Sequence, residues 1–443
     1  MMQQPVATPG NGKTTIFDDY HAPSLDLLNS CVHCGWCLQN CPTYTLWGKE
    51  GDSPRGRVYL MNMASEGKAG FSDLLVEHFD HCLGCFACVA TCPSGVKYSH
   101  LIEDMRGQIE RHYRRPMRER LLRRMIKAVF PYPSRLRALA LPLRAYQRLG
   151  LQHLAREVGL TALLPRSLQT MEKLLPQLSH DSVAAPLPAH VPAQGEKRCT
   201  VALLTGCVQD AFFSHVNAAT ARVLSAEGCE VFVPPDQGCC GALMIDLGQE
   251  QEAAQMARRL IDRLEPFAVD AIVVNTSCGA TVKDYGYLLR DDPQYRERAA
   301  AFSAKCKDVS EVLAGLTPRA ARRRMKIRAA YHDPCHLQHA QGLREPPRAA
   351  LRTIPGLEIV ELPESALCCG SAGAYNLVQP ETARALGERK ARNIAATDAE
   401  MVITANPGCQ LQIGSLLNEK GHPLPVVHYI ELLDASISGR KFS

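Results

Sequence analysis

Nineteen cysteines in 443 residues are grouped rather than scattered. Residues 31 to 42 read CVHCGWCLQNCP and residues 82 to 93 read CLGCFACVATCP, so each run spaces four cysteines as C-x2-C-x2-C-x3-C and ends in proline. Three thiolates at two-residue gaps can wrap three iron corners of a cubane, while the fourth, turned away by the proline, reaches a second cubane. The runs are therefore expected to cross: Cys31, Cys34, Cys37 and Cys92 form one 4Fe-4S site, and Cys82, Cys85, Cys88 and Cys41 the other. Zinc accepts any two C-x2-C pairs, but it does not require three cysteines at these gaps followed by x3-C-P, twice over. With each corner held by thiolate no iron is open to substrate, so such a pair carries electrons and performs no bond chemistry. Arg55, Arg57 and Lys97 lie close by in sequence. They either raise the reduction potential by stabilising the more negative reduced state or serve only as surface charge.

Eight further cysteines form two similar sets. Cys207 is followed after 32 residues by Cys239 and Cys240, then by Cys278; Cys335 is followed after 33 residues by Cys368 and Cys369, then by Cys409. Each doublet precedes a glycine, in QGCCG and LCCGSAG, which indicates an internal duplication. Four thiolates per copy suffice for a cubane or a zinc site, and the spacing leaves open whether a cluster, zinc or no metal is held there. His332, His336 and His339 flank Cys335 at gaps that match no common zinc finger, so hydrogen bonds that orient a ligand, or structural roles, are expected of them. Cys199, Cys229 and Cys306 have no partners at ligand spacing and read as small buried residues.

These ligands must be positioned by several domains. Residues 1–22 read as a loose tail. Residues 23–105 read as a helical two-cluster domain whose core is expected to be largely inorganic, with helical periodicity between Val58 and Phe79. Residues 106–197 read as a basic helical segment, broken at Pro116, Pro131, Pro133 and Pro142, with a proline-rich linker over 180–197. Short β-branched runs then alternate with helices, which predicts parallel α/β units, one over 198–325 and one over 326–443. In both units the lone first cysteine and the last one follow strands, at the edge where open α/β sheets bind ligands. The fold class is thus multidomain, α+β and α/β.

Composition narrows the function. The first twenty residues lack an apolar secretory core, so an intracellular chain is expected, where clustered thiols ligate metal in preference to forming disulfides. No apolar run is long enough to span a membrane. Between Arg106 and Arg148 thirteen Lys or Arg face two Glu. With an apolar face of Leu121, Leu122, Met125, Ile126, Val129 and Phe130, that stretch suits anionic lipid or an acidic partner subunit. No nucleic-acid-binding motif accompanies the charge, and no dinucleotide fingerprint, P-loop or nucleophile elbow is present.

The cysteine runs match the bacterial ferredoxin pattern. Together with SPRGRVYLM, TCPSGVKY, NAATARVL, GCCGA, SCGATVKDYG, LQHAQ, LCCGSAGAYNL and ITANPGCQ, in that order, the chain resembles the iron-sulfur subunits of bacterial glycolate oxidase, a glycolate dehydrogenase. The resemblance implies a ferredoxin-like domain with two [4Fe-4S] clusters, followed by two CCG domains that hold a possible further iron-sulfur cluster. It also implies a flavin-containing catalytic subunit that oxidises glycolate to glyoxylate, a second flavin-domain-like subunit, and the quinone pool as acceptor. The location implied is cytoplasmic, or peripheral on the inner face of the membrane. Related architectures serve lactate, glycerol-3-phosphate or heterodisulfide chemistry, and a metal-binding scaffold or redox sensor is the alternative of another class. One departure stands out: the repeats end in CGAT and CQLQ where heterodisulfide reductase relatives have C-x2-C, so a five-thiolate centre like theirs is not expected.

Overall fold

The computed structural model describes residues 6–7, 14–175, 187–275 and 277–440; parts of the expected tail and linker lie outside them. The periodicity between Val58 and Phe79 resolves into two helices joined by a turn. Ser53 caps Pro54–Ser65 by accepting the Gly56 N–H, and Ser72 caps Asp73–Asp80 by accepting the Leu75 N–H. Both pack on the long helix Tyr98–His112. Between them lies an apolar core that includes Leu28, Val58, Met61, Phe79, Leu101 and Ile102. Contrary to the expectation of a mainly inorganic interior, these side chains each contribute about 1.5–3 kcal/mol by leaving water. The end of the expected tail is also held in place. Phe17 joins this core, and the Asp18 carboxylate accepts from Arg111 at 2.7 Å and from Gln108 at 2.8 Å.

The basic segment forms helices Met117–Val129, Pro133–Arg148, Leu151–Glu157 and Arg166–Lys173. Pro142 does not end its helix. The lost hydrogen bond is tolerated while Leu136 and Ala140 are buried on the same helix, which packs on Val208–Phe212. Much of the positive charge is neutralised internally: Arg115 pairs with Asp80 and Glu119, each at 2.7 Å, and Arg123 with Glu119 at 2.8 Å. The apolar face expected to meet anionic lipid or an acidic partner subunit turns inward instead, apart from the exposed Leu121. Ile126 is buried, and Leu122, Met125 and Phe130 pack with it against Met244 and Leu247. Exposed apolar side chains occur further on, at Leu139, Leu149, Leu151, Leu154, Val158, Leu160 and Leu163. Among the described residues no helix is long and apolar enough to cross a membrane.

Two sheets follow. Across the first, the strands run His190–Val191, Cys229–Phe232, Cys199–Leu204, Ala271–Val274 and Cys306–Asp308, parallel except for the first pair. Across the second they run Leu357–Glu361, Ile327–Tyr331, Met401–Thr404 and Val426–His428, all parallel. Apart from the added edge strand the order is the same, and each last strand enters a capping-box helix, Val309–Ala314 or Tyr429–Ser438. The sheets share one core. Across that join the Tyr429 hydroxyl donates to Asp308 at 3.3 Å, and His428 Nε2 lies 2.9 Å from the Asn275 carbonyl.

Candidate metal centres

The first eight cysteines draw together from both runs. The thiols whose charge bears on Cys31 are those of Cys92 and Cys34, from opposite ends of the domain's sequence. Cys41, Cys82, Cys85 and Cys88 line one small cavity with Arg57, Phe86 and Tyr98. Local backbone makes this convergence possible: His33, Gly35, Gly84 and Phe86 all adopt left-handed conformations, so both loops curl around a point. Cys41 opens the helix Pro42–Trp47, with Pro42 fixing the first turn and aiming Cys41 away from its own run.

The two sets differ in exposure. Cys34 is exposed and Cys31, Cys37 and Cys92 are half-buried, whereas Cys41, Cys82, Cys85 and Cys88 are buried. Burial, reinforced by the neighbouring thiols, pushes Cys85 and Cys88 well above the usual thiol range. Crowded buried thiols can ionise together only when a cation compensates them, which is the chemistry of a thiolate-held iron site. A fixed cation lies beside them: Arg57 is fully buried, its Nε donating to the His78 carbonyl at 2.6 Å and its Nη2 to Thr43 at 3.2 Å. Burial opposes its charge, but the Cys82 and Cys41 thiols, Tyr98 and Asp52 together hold the guanidinium above its ordinary range.

The later cysteines gather at the sheet edges as expected. In the first repeat the thiols touch in the chain Cys207, Cys239, Cys240, Cys278. In the second they run Cys335, Cys368, Cys369, Cys409, with the first two sulfurs 3.9 Å apart. Each doublet is seated by a left-handed glycine. A Cβ on Gly241 would lie 3.1 Å from the Ala253 carbonyl oxygen, and one on Gly370 only 2.3 Å from that of Ala383. Both sets line a cavity of about 830 Å3, roofed by Val129, Phe130, Leu139, Leu143, Tyr146 and Met171 of the basic segment.

Sequence spacing did not disclose how the domains meet. Cys85 packs in one cluster with Cys368 and Cys335, and the Cys335 thiol adds to burial in raising Cys85. The Phe86 ring stacks on His336 with centroids 5.5 Å apart, His336 Nε2 lies 2.9 Å from the Gly84 carbonyl, and Tyr375 donates to the His81 carbonyl at 3.0 Å. The buried ferredoxin-type set thus adjoins the second repeat directly. His339 has a backbone partner at Ala366, in keeping with a structural role, whereas among the described residues His332 has none on either ring nitrogen. Cys229 and Cys306 are buried; Cys199 and Cys229 face each other across paired strands with sulfurs 2.8 Å apart, a contact that sequence spacing hid.

Known families match in the same order along the chain. Residues 27–96 match a 4Fe-4S dicluster domain, 118–175 the linker region of the glycolate oxidase iron-sulfur subunit, and 201–283 and 329–414 a cysteine-rich domain. The chain is 37% identical to the glycolate oxidase iron-sulfur subunit of Escherichia coli (strain K12), covering 93% of this chain and 94% of that one. It belongs to the glycolate oxidase iron-sulfur subunit family. A second member, from Bacillus subtilis (strain 168), is also 37% identical, over 92% of this chain and 93% of its own. Lactate utilization protein A of an Exiguobacterium species is 31% identical but covers only 54% of this chain and 98% of its own. As a member of the glycolate oxidase family the chain is an iron-sulfur electron-transfer subunit of an oxidoreductase, with iron-sulfur clusters as its cofactors.

Proposed function

We propose that this subunit carries electrons from a flavin-containing partner, which oxidises glycolate to glyoxylate, to an isoprenoid quinone. A second flavin-domain-like subunit completes the complex. Carrying this reading is the unbroken succession of thiol sets from exposed Cys34, through buried Cys85 against Cys335 and Cys368, to the cavity shared by both repeats. In this reading Cys31, Cys34, Cys37 and Cys92 hold one 4Fe-4S cluster and Cys82, Cys85, Cys88 and Cys41 the next. Cys207, Cys239, Cys240 and Cys278, and Cys335, Cys368, Cys369 and Cys409, hold further centres. Clusters bound there supply outer-sphere, one-electron transfer.

The ends of the path suit their partners. Around Cys34 the side chains of Val32, Trp36 and Tyr59 are exposed, an apolar patch suited to a docked subunit. At the other end the cavity is walled mainly by carbon, and its roof helices continue into the exposed leucines between Leu139 and Leu163. Set against the headgroup region of a membrane, those leucines would admit a lipid-borne acceptor. Glycolate loses two electrons and two protons to the flavin, and the quinone takes up two electrons and two protons to become the quinol. Glycolate is preferred to lactate as substrate because relatives named for glycolate oxidase align end to end, while the lactate-utilisation relative aligns over about half the chain.

In a complex reconstituted with its flavin subunit, Cys85→Ser is expected to leave flavin reduction by glycolate intact and to lower quinone reduction at least 100-fold. Unchanged quinone reduction would favour a scaffold or redox sensor over an electron carrier. Faster flavin reduction by lactate than by glycolate would reassign the substrate.

A further inference from the structure

The two cysteine-rich repeats share thiol geometry but not what surrounds it. Their first strands are in matching register: Val201 pairs with Ala271 and Ala329 with Met401, and each stands six residues before the first cysteine, Cys207 or Cys335. By that register His332 in the second repeat occupies the position of Leu204 in the first. A second match follows from the seats of the glycines. Gly241 packs on Ala253 and Gly370 on Ala383, so Lys390, seven residues beyond Ala383, corresponds to Leu260. All four side chains are completely buried.

In the first repeat both positions are therefore aliphatic and belong to an apolar core. In the second they are a nitrogen donor and a cation. Among the described residues neither ring nitrogen of His332 has a hydrogen-bond partner. One of them lies within 4.8 Å of both the Cys369 and the Cys409 sulfur, and those sulfurs lie within the same distance of each other. Leaving a buried polar atom unpaired is costly, so an imidazole held this way points to a bound group that uses it. The Lys390 ammonium donates to the Glu364 and Ser365 carbonyls at 2.5 and 3.2 Å, and it sits in the field of the Cys368 and Cys369 thiols. A buried cation beside clustered thiols suits a centre of net negative charge.

We infer that His332 is a nitrogen ligand, beside Cys335, Cys368, Cys369 and Cys409, of the iron-sulfur centre of the second repeat, and that the first repeat holds its centre by thiolates alone. The inference rests on the reading that both repeats bind iron. A neutral imidazole adds no negative charge and Lys390 stabilises the reduced state, so the second centre has the higher potential and is the first of the two to be reduced. His332 stands only three residues before Cys335, but spacing rules for cysteine motifs count thiols alone and so do not single it out.

The test uses the full chain, purified anaerobically and labelled with 15N-histidine. Pulsed electron paramagnetic resonance of the partly reduced protein should show hyperfine coupling of directly bound imidazole nitrogen that changes with the label. That coupling should vanish in His332→Leu and in His332→Cys, the latter retaining its iron but with a lower potential. Iron well above the roughly eight atoms of two cubanes, with no such coupling or with coupling unchanged in both variants, overturns the assignment of His332 alone. Iron at about eight atoms per chain overturns both this assignment and the reading that the repeats bind iron.

Discussion

At the scale of single residues, Arg57 is the buried charge beside the inner ferredoxin-type thiols. SPRGR marked two arginines as candidates for tuning a cluster, and burial separates them: Arg57 is sealed against Cys82 and Cys41, while Arg55 is bound to Glu50 at the surface. Arg57→Met should lower the reduction potential of the inner cluster by about 40 mV, equivalent to ~1 kcal/mol for one electron. Arg57→Lys should restore most of the shift. Potentiometric titration followed by electron paramagnetic resonance measures both, with the outer cluster as internal control. Equal potentials in the Met and Lys variants would show that Asp52 already neutralises the guanidinium. His332 was visible in the sequence only as one of three histidines around Cys335. Its distinction from His336 and His339, which have backbone partners, is a matter of packing.

At the scale of elements, the cysteine doublets depend on the backbone that follows them. Gly241 and Gly370 have the same left-handed φ of 87°, but their neighbours differ in closeness. Alanine at Gly370 would force its Cβ into the Ala383 carbonyl, so Gly370→Ala should cost on the order of 2–4 kcal/mol. Gly241→Ala, with more room, should cost less. Chemical denaturation of the two variants checks the order, and equal losses would mean that the helix Pro380–Ala395 shifts to make room. The CCG pattern and its glycines were legible because each residue type there answers a local demand. The fate of the arginine-rich helix was not. Amphipathic periodicity identifies an apolar face without saying whether lipid or protein covers it, and here Met244 and Leu247 do.

At the scale of the whole molecule, the two repeats are joined through buried acids. Burial, opposed by the His428 N–H, pushes Glu431 up to about 7, well above the 4.5 of a free glutamate. Because the folded value exceeds the unfolded one, the protonated carboxyl is the form the fold favours. Its contribution is complete below about pH 4.5 and is lost as pH rises through 7. Glu431→Gln mimics that form and keeps an acceptor for the helix cap. It should flatten the fall in stability between pH 5 and 8 and be more stable than the parent at pH 8 by about 2–3 kcal/mol. Thermal or denaturant unfolding across that range reads the difference, and parallel pH profiles for the two proteins would count against the carboxyl as its source.

The sequence by itself determined the cysteine sets and their grouping. Iron-sulfur motifs space cysteines in a few ways, and parallel α/β units betray themselves by alternating apolar strands and helices, so the two ferredoxin-type runs, the duplication and the strand-end cysteines could all be read along the chain. Tertiary structure alone decided what lies next to what. Cys85 against Cys335, a cavity shared by both repeats, and His332 beside Cys369 and Cys409 bring together residues separated by tens to hundreds of positions. Such contacts arise from the packing of domains against one another, and no local spacing rule encodes them.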